Sequence, residues 1–124
     1  MMIQTKLSLP QHYDPNYAYP LILCNDGNLQ HLYTCKEKAI LVGLLPENRL
    51  TDYTPWQAEA IRPGAENFGG QADEYHNELF NNVLPELQSR YSIDTNKIIY
   101  GGYSLGGLAA VYSLYRTNIP SAIF

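Results

Sequence analysis

The sequence has two cysteines, no basic run and no long apolar stretch, and each shortage excludes a class of protein. Cys24 and Cys35 cannot make a disulfide framework. Cys24 lies in an apolar run and reads as a reduced core residue. Without a basic run, and with a net charge of −4, the chain is poorly suited to nucleic acid or an anionic membrane as partner. No apolar stretch approaches the roughly 20 residues that span a bilayer. The opening, MMIQTKLSLP, lacks the apolar core of a signal peptide. The cytoplasm is the expected compartment.

What is present is a globular composition, 45% hydrophobic and 16% charged, over 124 residues, enough for one small domain. Tyrosine is abundant, with eleven copies. Amphipathic packing at the edge of a core accounts for most of them. Tyr53, Trp56 and Tyr103 stand apart as candidates for an aromatic wall around a substrate.

Along the chain, Ile3 to Pro10 alternates and meets a proline, the pattern of an edge or half-buried strand. Residues 11–20 read as a loop. Leu21 to Asp26 is a short apolar run that ends in Asp-Gly, as a strand buried on both faces would. A short helix over LQHLYTCKE and a second buried strand, Lys38 to Leu45, follow. From Glu47 to Gly70 the pattern fails, and a loop of that length is usually functional or mobile. The stretch from Gln71 to Tyr91 carries apolar residues at three- and four-residue steps and predicts a long helix. Pro85 should bend it near Asn81. IDTNK reads as a turn, Lys97 to Gly102 as a third buried strand and Leu105 to Arg116 as a helix. Alternation of strands and helices predicts a mostly parallel sheet in a three-layer α/β/α sandwich. No repeat, low-complexity tract or linker interrupts it, so residues 1–124 read as one domain.

Gly102-Tyr103-Ser104-Leu105-Gly106 matches G-x-S-x-G between a predicted strand and a predicted helix. That context gives the pattern its meaning. A serine on such a turn projects its hydroxyl above the sheet, and the flanking glycines let strand and helix approach it. The N–H of Leu105 would face the same space and could hold an oxyanion. A plain N-cap serine explains the same residues with less chemistry. A phosphate loop does not, since GGYSLGG has neither the lysine nor the G-x-G-x-x-G spacing. Upstream, Asp26-Gly27-Asn28 ends a buried strand. A plain Asp-Gly turn explains it alone. Beside the serine turn, Asn28 becomes the candidate for the second oxyanion N–H.

Four pieces, YPLILCNDGN, NRLTDYTPW, GGQADEYHNELFNNVLPELQSRY and IIYGGYSLGGLAAVYSL, resemble the putative-esterase family of α/β-hydrolases in that order. The family includes esterase D, feruloyl esterases and enterochelin esterases. The resemblance runs from Tyr19 to about Leu114. It implies an α/β-hydrolase sheet, with Ser104 as nucleophile, Leu105 and the residue after Asp-Gly as the oxyanion hole, and the DYTPW loop near the acyl site. It implies a small-molecule ester as substrate and no cofactor or metal. Some relatives transfer the acyl group to another alcohol.

One departure stands out. In this fold the acid and the histidine follow the serine along the chain. The twenty residues after Ser104 contain no Asp, Glu or His. His12, His31 and His76 all precede it, and each reads as a loop or helix-surface residue. His31 and Cys35 are four apart, but two ligands make poor evidence for a metal. The expectation is an incomplete domain without its C-terminal strands. IPSAIF would be the start of the next strand, and Lys97–Gly102 would present an unpaired, apolar edge to a second chain. Three readings stay open: the front part of a serine esterase, an oligomer or second chain that completes the site, or a non-catalytic binding module. Arg49, near DYTPW, would suit a carboxylate-bearing ester, although solvation explains it equally well.

Overall fold

A computed structural model describes residues 3–124. Among these residues the main sheet contains β1 (Gln4–Ser8), β2 (Tyr19–Asn25), β3 (Ile40–Leu45), β6 (Ile93–Gly101) and β7 (Ala122–Ile123), in the spatial order β1-β3-β2-β6-β7. β1 runs antiparallel to β3 at one edge, and the other pairings are parallel. A small hairpin, β4 (Gln57–Ala58) with β5 (Phe68–Gly69), lies outside this sheet.

Strand alternation sorts the core. Leu21 and Leu23 of β2 join the larger cluster with Val42, Leu44 and Tyr100, while Ile22 and Cys24 join a smaller one with Leu41. The larger cluster is closed by α2 (Ala72–Glu78), α3 (Leu84–Arg90) and α4 (Leu105–Ser113). On the smaller cluster lies a 3-10 segment, Gln30–Cys35, with Leu32 and Cys35 against the sheet. Sequence and structure agree on a mostly parallel sheet flanked by helices. No helix is long and apolar enough to cross a membrane among the described residues.

Four local expectations change. The patternless stretch after Glu47 is ordered by α1 (Arg49–Asp52), whose cap Asn48 accepts from the N–H groups of Leu50 and Thr51, and by the small hairpin. The long helix does not simply bend before Pro85. It widens to a π segment, Leu79–Val83, that joins α2 to α3. Pro85 has no N–H for the Asn81 carbonyl and crowds it, and a wider turn relieves both. IDTNK is not a free turn. Asp94 Oδ1 accepts from Asn96 N–H, but inside β6, where the register jumps from Tyr19–Ile93 to Leu21–Ile98. Finally, the outer edge of β6 is not bare, because Ile99 and Tyr100 pair with Ala122 and Ile123 of β7.

Candidate active site

Open α/β sheets bind ligands beyond the carboxyl ends of their parallel strands. Here those ends are Asn25 of β2 and Gly101 of β6. Ser104 sits between β6 and α4 with φ 52° and ψ −123°, a left-handed φ that costs a side-chain-bearing residue about 1–3 kcal/mol. The turn is closed tightly around it. A Cβ on Gly102 would stand 2.8 Å from the Gly106 backbone, and one on Gly106 would stand 3.1 Å from Asn25 Cβ. The serine is exposed, and its hydroxyl hydrogen-bonds to none of the described residues. Leu105 N–H has no acceptor among the described residues either.

Beneath the turn lies a buried polar network that the sequence did not reveal. Asn25 Nδ2 donates to the Gly106 carbonyl and to Tyr100 Oη, both at 2.9 Å. Tyr75 Oη donates to Asn25 Oδ1 at 3.0 Å. His76 Nε2 lies 3.1 Å from Tyr100 Oη. Burial raises both tyrosine pKa values, so the hydroxyls stay neutral and remain donors. The only signal was an asparagine at the end of an apolar strand, where it must find partners.

His76 corrects the sequence reading. It is buried, not on the helix surface, between the rings of Phe80, Tyr100 and Tyr112. Burial lowers its pKa to about 4, against a smaller opposing effect of Asp73. Its Nδ1 has no partner among the described residues. Phe80, four residues on and one helical turn away, was the clue to an inward-facing position.

Asp26 and Gly27 both have positive φ, 67° and 71°. Asp26 is held there from two sides. Its N–H donates to Tyr53 Oη at 3.0 Å, and its carboxylate takes a forked contact from Arg49 at 3.0 and 3.2 Å. Asp26 Oδ2 also lies 3.2 Å from where a Gly106 side chain would begin, so the two turns abut. Asn28 is exposed at this turn, its side chain accepting from Gln30 N–H and its own N–H without an acceptor among the described residues. Cys24, just upstream, is a free buried thiol, its pKa pushed up to about 11 by burial and by Asp26.

The candidate aromatic wall divides. Tyr53 is 0% exposed and does not line the surface. Its ring packs edge-on to Tyr75, and its hydroxyl holds Asp26. Trp56 is 70% exposed, at the mouth of an apolar cleft that also involves Leu105. Tyr103 is 60% exposed and meets His31 edge-on at 5.0 Å, and Phe124 lies 6.2 Å from the same imidazole. Arg49 is paired through Nε and Nη2 with Asp26, so its charge is already matched. Among the described residues no group of three His, Cys, Asp or Glu is arranged to hold a metal.

The DYTPW and Gly-Gly pieces form one clasp. Asp52 is buried and accepts from the N–H groups of Glu47 and Asn48. Thr54 Oγ1 donates to the Leu50 carbonyl and accepts from Gly70 N–H, each at 2.8 Å. Gly70 has φ 72°, and a Cβ there would overlap the backbone of Trp56 and Gln57. The clasp fixes the chain that carries Trp56.

A family model described as Putative esterase matches residues 2–118. The chain belongs to the putative esterase family. Its similarity to the uncharacterized protein YbbA of Bacillus subtilis (strain 168) is 28% identity over 89% of this chain and 50% of that protein. Two solved structures share the fold. The BES protein from Bacillus cereus has a TM-score of 0.77 and 24% identity over 97% of this chain and 55% of its own. An IroE-like serine hydrolase from Shewanella oneidensis has a TM-score of 0.82 and 22% identity over 98% and 49%. This member of the putative esterase family therefore spans about half the length of the curated relative it matches. The resemblance read from the four sequence pieces is to the same family.

Proposed function

We propose that this chain carries the serine-bearing part of a carboxylic-ester hydrolase, with Ser104 as the nucleophile. The observation that supports it most is the left-handed φ of Ser104, on a turn whose flanking glycines leave no room for a side chain. Such strain is retained where it serves a purpose, and a nucleophile elbow is one. Family membership and the description of the Shewanella relative as a serine hydrolase point the same way.

In this reading Ser104 Oγ attacks the ester carbonyl and gives its proton to a base. The carbonyl oxygen becomes an oxyanion held by the N–H groups of Leu105 and Asn28. The alcohol leaves, and water then releases the acid from the acyl-serine. Tyr53, Asp26 and Arg49 fix the Asn28 turn. The Asn25 network fixes the Leu105 turn. The base is the missing part. His76 is engaged with Tyr100, and no histidine or carboxylate hydrogen-bonds the Ser104 hydroxyl among the described residues. An unaided Ser104 is a weak nucleophile, so the reaction needs a base that the described residues do not place against its hydroxyl.

Release of 4-nitrophenol from 4-nitrophenyl acetate by the protein purified from its source cells tests this reading. Ser104→Ala should lower kcat by about 10³-fold or more. Hydrolysis that survives the substitution would overturn the assignment.

A further inference from the structure

A cavity of about 200 Å³ lies between α2 and the turn that follows α4. Asp73, His76, Asn77 and Phe80, spaced by three and four residues along one helix face, line one side of it. Arg116 and Ile119 line it from the other segment. Two observations mark it as a site. His76 is only 4% exposed, and its Nδ1 is buried without a partner among the described residues. Buried polar atoms are normally hydrogen-bonded, so this one calls for a partner from the cavity that His76 lines. Arg116 meets Asp73 Oδ1 through Nε at 3.2 Å, a contact that does not use its two Nη amino groups. The same Asp73 oxygen accepts from Tyr112 Oη at 3.0 Å. Asp73 and Arg116 therefore match each other in charge, and the lining as a whole is neutral.

The buried network decides what Nδ1 offers. Tyr100 Oη accepts from Asn25 Nδ2 and has a single hydrogen to give. Asn25 Oδ1, at 3.2 Å, already takes the Tyr75 hydrogen and belongs to the same amide that donates to Tyr100. His76 Nε2, at 3.1 Å, is the acceptor left unserved. Burial, which lowers the His76 pKa to about 4, keeps the imidazole neutral at neutral pH. A neutral imidazole that accepts at Nε2 carries its hydrogen at Nδ1. Nδ1 is then a donor, as are the Arg116 Nη groups. We propose that this cavity binds a small monocarboxylate, its oxygens accepting from His76 Nδ1 and Arg116 Nη and its short apolar tail resting on Phe80 and Ile119. Hydrogen bonds from a cation to a carboxylate are short and strong, which favours an anion over a neutral amide. Size sets a limit: an apolar cavity of about 150 Å³ takes up benzene, so an acid much larger than benzoate would not fit. The site does not depend on the role of Ser104.

Long-range proton–nitrogen NMR spectra of the protein labelled with nitrogen-15 in histidine test this directly, with the His76 ring identified by its loss in His76→Gln. At neutral pH the spectrum should show the hydrogen on Nδ1. Sodium propionate should shift that resonance and saturate, at constant ionic strength. Propionamide, of the same size and without charge, should not move it over the same range. Arg116→Gln, at an exposed position where the fold tolerates it, should weaken propionate by about tenfold or more. A hydrogen found on Nε2 overturns the donor assignment and with it the proposal. A resonance that propionate never moves leaves water as the partner of Nδ1 and overturns the site. Equal responses to propionate and propionamide, or an Arg116→Gln protein that binds propionate as well as the wild type, overturn the carboxylate.

Discussion

The side-chain amide of Asn25 donates to the backbone carbonyl of Gly106 at 2.9 Å, tying the end of one strand to the first turn of the helix behind Ser104. The same amide group holds Tyr75 and Tyr100. Asn25→Ala would take from the buried Tyr75 hydroxyl its acceptor, while Tyr100 keeps His76 and the Gly106 carbonyl keeps its place in the helix. A buried group left unsatisfied costs about 1–3 kcal/mol, and a loss in that range is expected. Urea unfolding of the two proteins at neutral pH measures it. A loss below about 1 kcal/mol would show that the network contributes little.

Two glycines of similar φ should respond differently to alanine. Gly64 has φ 81° and nothing within 4 Å of an added Cβ. Its substitution should cost only the left-handed strain of a side-chain-bearing residue, about 1–2 kcal/mol. Gly70 has φ 72°, and there the Cβ would overlap the backbone of Trp56 and Gln57. Gly70→Ala should cost about 3 kcal/mol or more and should change Trp56 emission, which Gly64→Ala should leave alone. Thermal unfolding with fluorescence detection compares them, and equal losses would contradict the clasp.

His76 sets a pH dependence of stability. Its pKa falls from 6.5 to about 4 on folding, chiefly through burial. The unfolded chain therefore binds the proton more tightly, and stability rises with pH between those values. The contribution is fully present above pH 6.5 and is lost as pH falls through about 4, roughly 3 kcal/mol in all. His76→Gln should flatten the stability profile in that window. An unchanged slope would mean that His76 is not buried and neutral in the folded protein.

Sequence and structure agree most closely where local pattern and physics coincide. The apolar runs around Leu23 and Val42 had to be buried strands, and glycines on both sides of Ser104 had to mark a close turn. Agreement fails where side chains from distant segments meet. Nothing near Asn25 in the chain announces Tyr75, Tyr100 or Gly106 as its partners. His76 lies beside an apolar stripe, and only the arrival of Tyr100 and Tyr112 buries it. Tyr53 and Trp56 are three residues apart and looked alike, yet α1 and its Asn48 cap turn one inward and leave the other outside. Arg49 looked free until the fold brought Asp26 to it. In the sequence the DYTPW piece carries a resemblance and no physical reason. The reason is a set of backbone hydrogen bonds that only the folded clasp displays.

The central claim is that Ser104 is an ester-cleaving nucleophile. Intact mass of the protein from its source cells, before and after a fluorophosphonate probe, tests it most directly. The account predicts one adduct, located on Ser104 by peptide mapping and absent from Ser104→Ala. A protein that gains no adduct, or gains it at another serine, would contradict it.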